Sequence, residues 1–109
     1  MIKVNLLYPA TAGGRFDHVY YETVHIPMAI GMLGSALKSV TVERGVSPGA
    51  PWPASTYVTI CSFLIESREA YERALFPNAE RLQADVANFS DVAALIQFSE
   101  VTLEHSTAR

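Results

Sequence analysis

Only one cysteine, Cys61, occurs in the 109 residues, so no intrachain disulfide can form and no cysteine-based zinc or iron–sulfur site can be assembled. Basic side chains are outnumbered by acidic ones. There are 8 against 11 acidic ones, with no run of like charge, which leaves no positive stripe to neutralise phosphates and argues against nucleic-acid binding. No apolar run approaches the roughly 18 to 20 residues of a helical membrane span. Met1 to Tyr8 carries one lysine and a short alternating pattern in place of a basic segment followed by a long apolar one, so no signal peptide is read there and the cytoplasm is the expected location. Gly-rich phosphate loops are also missing, and no cofactor is expected.

What is present suits one domain over residues 1–109, half of it apolar. Ile2 to Tyr8 alternates with a strand period and ends at Pro9, Gly13 and Gly14. Asp17 can cap a helix, with Phe16 stapled onto Tyr21, and that helix runs toward Met32 and Gly34. Pro27 lies inside it, has no amide to donate and crowds the Thr23 carbonyl, which predicts a kink or break just before it. Leu37 to Val46 reads as a second strand. A proline-rich loop over 45–55 follows, with the only tryptophan, Trp52, either closing over a ligand or anchoring a dimer. Tyr57 to Ile65 is a third strand, Ser67 caps a second helix, Pro77 starts another helical piece with Leu82, Val86 and Phe89 on one face, and Ala93 to Leu103 is the last strand.

The order βαββαβ predicts an α+β fold of ferredoxin-like topology: a four-stranded antiparallel sheet with helices on one face. The third strand is apolar on both sides, with Tyr57, Cys61, Phe63 and Ile65 on one and Val58, Ile60 and Leu64 on the other. Each large side chain left in water forgoes about 1.5 to 3 kcal/mol, so the free face is expected to meet the sheet of a second copy in a homodimer.

At about 100° per residue, His18, Tyr21, His25 and Met32 form one stripe of the first helix, with Met28 close by, and Phe16, Tyr20, Thr23 and Pro27 form its neighbour. An imidazole titrating near neutral pH can move a proton, and a tyrosine one turn away can polarise a substrate oxygen. His25 and Tyr21 are therefore the candidate catalytic pair. Asp17 or another carboxylate is the candidate for fixing the imidazole tautomer, and Phe16, Tyr20, Met28 and Trp52 are candidates to touch the substrate. The competing reading is that His25 and Tyr21 only pack and satisfy local carbonyls. His18 and His25 are two turns, about 10 Å, apart on a straight helix, too far to share one zinc, so no metal is expected. His105 reads as a solvated residue of the tail, and Tyr71 and Leu75 as core.

The pattern Phe16-Asp17-x-x-Tyr20-Tyr21-x-x-x-His25-x-Pro27, with Arg15 before it, the opening Met-Ile-Lys-Val-x-x-Leu-Tyr-Pro and the closing Gln97-Phe98-Ser99-Glu100-Val101, resembles the EthD family over nearly the whole chain. That family is named for a protein needed in bacterial degradation of ethyl tert-butyl ether. Its members are small dimeric α+β barrel proteins. The wider superfamily includes cofactor-independent quinol monooxygenases, polyketide cyclases, lactone isomerases and haem-degrading enzymes, so the resemblance implies fold and dimer more closely than reaction. It also marks Phe16, Asp17, Tyr20, Tyr21, His25 and Pro27 as the family motif. The resulting expectation is a catabolic protein, possessing cofactor-free monooxygenase, cyclase or isomerase chemistry on an apolar or aromatic oxygenated compound. The alternative is a carrier of a hydrophobic metabolite.

Overall fold

The computed structural model describes residues 1–107. Four strands, β1 (Ile2–Pro9), β2 (Leu37–Arg44), β3 (Tyr57–Ile65) and β4 (Leu95–Glu100), form one antiparallel sheet in the order β2-β3-β1-β4. The first crossover contains α1 (His18–Tyr20), a π-helical turn at Tyr21–His25 and α2 (Ile26–Leu33). The second contains α3 (Arg68–Leu75) and α4 (Ala79–Asp85), joined and followed by short 3₁₀ turns. This is the ferredoxin-like order read from the sequence.

Local chemistry accounts for the element ends. Asp17 accepts from the Tyr20 amide at 3.0 Å, and the Phe16 ring lies 5.1 Å from that of Tyr21, so cap and staple together start the helix. Ser67 does the same for α3 through the Ala70 amide. Two strands are shorter than their sequence pattern. β2 ends at Arg44: the Gly45 amide still donates to the Val58 carbonyl at 2.9 Å, at a close approach to the Tyr57 carbonyl that leaves no room for a Cβ, and beyond it the Val46 carbonyl accepts from the Ser55 hydroxyl instead of a strand partner. β4 begins at Leu95, after Ser90 has closed a local turn onto Val92.

Pro27 does not break the helix. The turn before it widens instead: the Ile26 amide reaches back five residues to the Tyr21 carbonyl, which opens the space that the proline ring needs.

Alternation along the sheet assigns its two faces. Val4, Tyr8, Cys61, Phe63 and Ile65 point beneath the helices and are buried, and Cys61 is fully enclosed as a packing residue. On the opposite face Leu7 pairs with Ile60, while Leu64 lies between Lys3 and Ser39. That face is less apolar than expected. Its centre is polar, where the Ser62 hydroxyl donates to Asn5 Oδ1 at 2.8 Å and Asn5 Nδ2 donates to Ser99 Oγ at 3.1 Å. Phe63 therefore lies in the core, and Ile60 lies on the open face. No helix among the described residues is long and apolar enough to cross a membrane.

Candidate functional site

The π turn decides which side chains of the first crossover face inward. In an uninterrupted α-helix the stripe through Tyr21 and His25 would continue at Met28 and Met32. The wide turn holds back the helical phase, so the inward face continues at Ile26, Ala29 and Leu33, all buried. These residues form one wall of a cavity of about 280 Å³ between helices and sheet. Leu6, Phe63 and Ile96 lie on its sheet side, and Leu75, Leu82, Gln83 and Val86 on the wall formed by the second crossover. Phe16, Met28 and Trp52 do not line it. Phe16 packs edge-on against Tyr8, Met28 falls outside the shifted inward face, and Trp52 stands 69% exposed in its loop.

His25 is held on three sides. Its ring stacks on Tyr21 (centroids 5.6 Å apart, planes at 15°) and against Phe89 (4.5 Å), and its Nδ1 lies 2.8 Å from Asp85 Oδ2. Asp85 in turn accepts at Oδ1 from the Tyr20 hydroxyl at 2.6 Å and from Asn88 Nδ2 at 2.9 Å. Burial pushes the Asp85 carboxyl up, but the three donors outweigh it and hold the group below the usual carboxylate range. A carboxylate can only accept, so in the neutral ring the proton resides on Nδ1 and Nε2 carries the free lone pair. Among the described residues Nε2 has no hydrogen-bond partner, and His25 lines the cavity. The arrangement is a proton acceptor with a fixed tautomer at the wall of an apolar chamber.

Tyr20, in its neighbouring stripe, contacts the site through Asp85, and its bond to that carboxylate pushes its phenol pKa upward. Asp17 does not reach His25. Its carboxylate is used by the helix cap, so the tautomer is fixed by Asp85 instead. Tyr21 is fully enclosed, and its hydroxyl has no partner: the Tyr8 phenol and the Cys61 thiol are its polar neighbours, and neither aligns as a hydrogen bond. Burial pushes that phenol strongly upward, so it stays protonated; Tyr21 lines the cavity, but its hydroxyl is sealed from it. His18 contacts the Thr59 hydroxyl at 3.3 Å and takes no part in the Asp85 network.

Residues 15–93 match the EthD domain. The chain belongs to the EthD family. An EthD-like protein from Ralstonia eutropha JMP134 is 41% identical, covers 96% of this chain and 95% of its own, and superposes with a TM-score of 0.89. An ethyl tert-butyl ether degradation (EthD) family protein from Bacillus halodurans C-125 is 19% identical, with 94% and 99% covered and a TM-score of 0.69. More distant in sequence, at 13% identity, is a dimeric ferredoxin-like protein of unknown function from Thermobifida fusca YX, with 92% and 90% covered and a TM-score of 0.52. No curated protein matches the chain.

Within this EthD fold, Arg15 explains how the two crossovers are joined. Its guanidinium donates to the Ala87 carbonyl at 2.7 Å and to that of Asn88 at 3.4 Å, tying the loop before α1 to the chain just beyond Asp85. The Asp17 amide donates to the Phe89 carbonyl at 2.7 Å. Sequence reasoning missed Asp85 and Asn88. One signal was available: Asp85 lies within about 60° of Leu82 and Phe89 on a helical projection, so it is a carboxylate on an otherwise apolar stripe.

Proposed function

We propose that this EthD-family chain is a cytoplasmic, homodimeric protein of small-molecule catabolism in which His25 acts as a general base on an apolar or aromatic oxygenated compound, without a cofactor. The observation that carries the reading is the Asp85–His25 pair, 2.8 Å apart, at the wall of a chamber of about 280 Å³. A chamber of about 150 Å³ holds benzene and drug-sized ligands occupy about 300 Å³ or more, so a substituted one- or two-ring compound fits. Deprotonating such a compound to its enolate or phenolate is the common first step of cyclisation, isomerisation and cofactor-free reaction with oxygen. Nε2 takes the proton, and Asp85 stabilises the imidazolium that results.

Dimer formation is supported by the half-buried Ile60 and Leu64 on the open sheet face, and by the dimeric state named for the Thermobifida fusca neighbour; Val58, at the bulge opposite Tyr8 and Pro9, packs instead against the core. The second copy would cover that face.

The test is a panel of neutral phenols and ring ketones followed by NMR for binding and conversion, with His25→Gln beside the wild type. The expected result is conversion, or exchange of acidic carbon-bound protons with deuterated solvent, that disappears in the variant while affinity changes by no more than a few-fold. Binding without any conversion in either protein would assign the chamber to a carrier.

A further inference from the structure

The chamber contains polar groups that the proton transfer does not use. Tyr71 is 6% exposed and Tyr8 is 3% exposed, both line the chamber, and neither hydroxyl has a hydrogen-bond partner of acceptable geometry among the described residues. Tyr21 Oη is the one partnerless side-chain polar atom there that is sealed from all open space. The hydroxyls of Tyr8 and Tyr71 are not sealed in that way, and both side chains line the chamber. A hydroxyl that faces the chamber can donate to a ligand oxygen placed there, a contact that a hydrocarbon of the same shape cannot make. Burial pushes both phenols up to about 12, so they stay neutral donors across the physiological range. The lining contains no lysine or arginine. An anion would lose its hydration there without gaining a cation, which disfavours carboxylates and phosphates.

We propose that Tyr71, assisted by Tyr8, is the specificity-determining donor of this chamber, seating the carbonyl oxygen of an uncharged ring ketone or related cyclic carbonyl compound whose acidic proton faces His25. The inference deepens the functional reading above and rests on the chamber being the ligand site. A phenol donating to the carbonyl oxygen also stabilises the negative charge that gathers on that oxygen when Nε2 removes the adjacent proton, so one contact serves both recognition and reaction. The electron pair of the broken C–H bond moves into the ring–oxygen system, the proton goes to His25, and no oxidant is needed for this step.

The full-length protein is titrated by ligand-observed NMR with three probes of similar size: 1-indanone, indane and indane-1-carboxylate. The ketone is expected to bind about five- to tenfold more tightly than the hydrocarbon, as one neutral hydrogen bond allows, and the carboxylate more weakly than the ketone. Tyr71→Phe should bring the ketone close to indane and leave indane unchanged, with thermal melts confirming the fold. Tyr8→Phe serves as the second variant. His25→Gln should keep the preference for the ketone, which separates recognition from proton transfer. Equal binding of ketone and hydrocarbon, or a preference untouched by both phenylalanine variants, overturns the phenol subsite and leaves the His25 reading standing. If none of the three binds, the chamber is not a ligand site and both readings fall.

Discussion

His25 Nδ1 and Asp85 Oδ2 stand 2.8 Å apart although sixty residues separate them in the chain, and with side chains 10% and 14% exposed they form a largely dehydrated pair. The pair joins the first crossover to the end of the second, so the proposed proton transfer and the fold share one contact. Asp85→Asn keeps the shape and removes the charge that selects the tautomer. Nitrogen-15 shifts of His25 should report the proton on Nδ1 in the wild type and a mixed or reversed tautomer in the variant. Any His25-dependent proton exchange should fall by about 10²- to 10⁴-fold. An unchanged tautomer would mean that Asp85 does not orient the ring.

The same carboxylate predicts an acid response. Its folded-state pKa lies below its unfolded value, so the stability it contributes is complete above the unfolded value, near 3.9, and is lost as the pH falls through the lower folded value. The wild-type melting temperature should therefore decline below about pH 4 more steeply than that of Asp85→Asn. Parallel declines would show that the three hydrogen bonds to Asp85 do not favour its charged form.

Most of the scaffold could be read from the chain, because period-two alternation, caps and prolines are local signals. β3 spans Tyr57–Ile65 as its pattern indicated, and Ser67 caps as its position suggested. Spacing also singled out His25 as a candidate. Its partner was not, because Asp85 meets it only after both crossovers have folded onto the sheet, and helical spacing carries no information about that docking. The π turn at Tyr21–His25 was equally hidden: Pro27 signalled a disturbance, but whether a helix kinks or widens depends on how the aromatic side chains pack beneath it.

Tyr20 and Tyr21 are adjacent and should respond oppositely to the same change. Tyr20→Phe removes the 2.6 Å bond to Asp85 and should weaken His25-dependent activity by several-fold. Tyr21→Phe removes a hydroxyl that is sealed and unpaired, so the variant should keep its ligand affinity and melt at the same or a higher temperature. Differential scanning calorimetry with the ligand titration checks both. A large loss of binding in Tyr21→Phe would show that the hydroxyl swings into the chamber when a ligand arrives.

The chamber itself can be closed from one side. Ala29 is 4% exposed and lines it from α2, so Ala29→Phe places a ring in the space a ligand would occupy. Probe binding should disappear. Because the new side chain enters existing space, the cost in stability should stay within about 1 to 3 kcal/mol, read by chemical denaturation. Retained binding would place the ligand elsewhere.

Ile60 and Phe63 lie on opposite faces of β3 and separate assembly from folding. Phe63 is 4% exposed beneath the helices, so Phe63→Glu buries an unpaired charge in the core and should leave little folded protein. Ile60→Glu puts the same charge on the open sheet face, where a monomer can hydrate it and a sheet-to-sheet dimer cannot. Sedimentation should show the wild type at twice the chain mass and Ile60→Glu at the chain mass, with the circular dichroism of a folded protein. If the wild type sediments as a monomer at micromolar concentration, the open face is free. If Ile60→Glu remains dimeric, the copies associate through another surface, and β4, whose Leu95, Ile96 and Phe98 are exposed, becomes the first to examine.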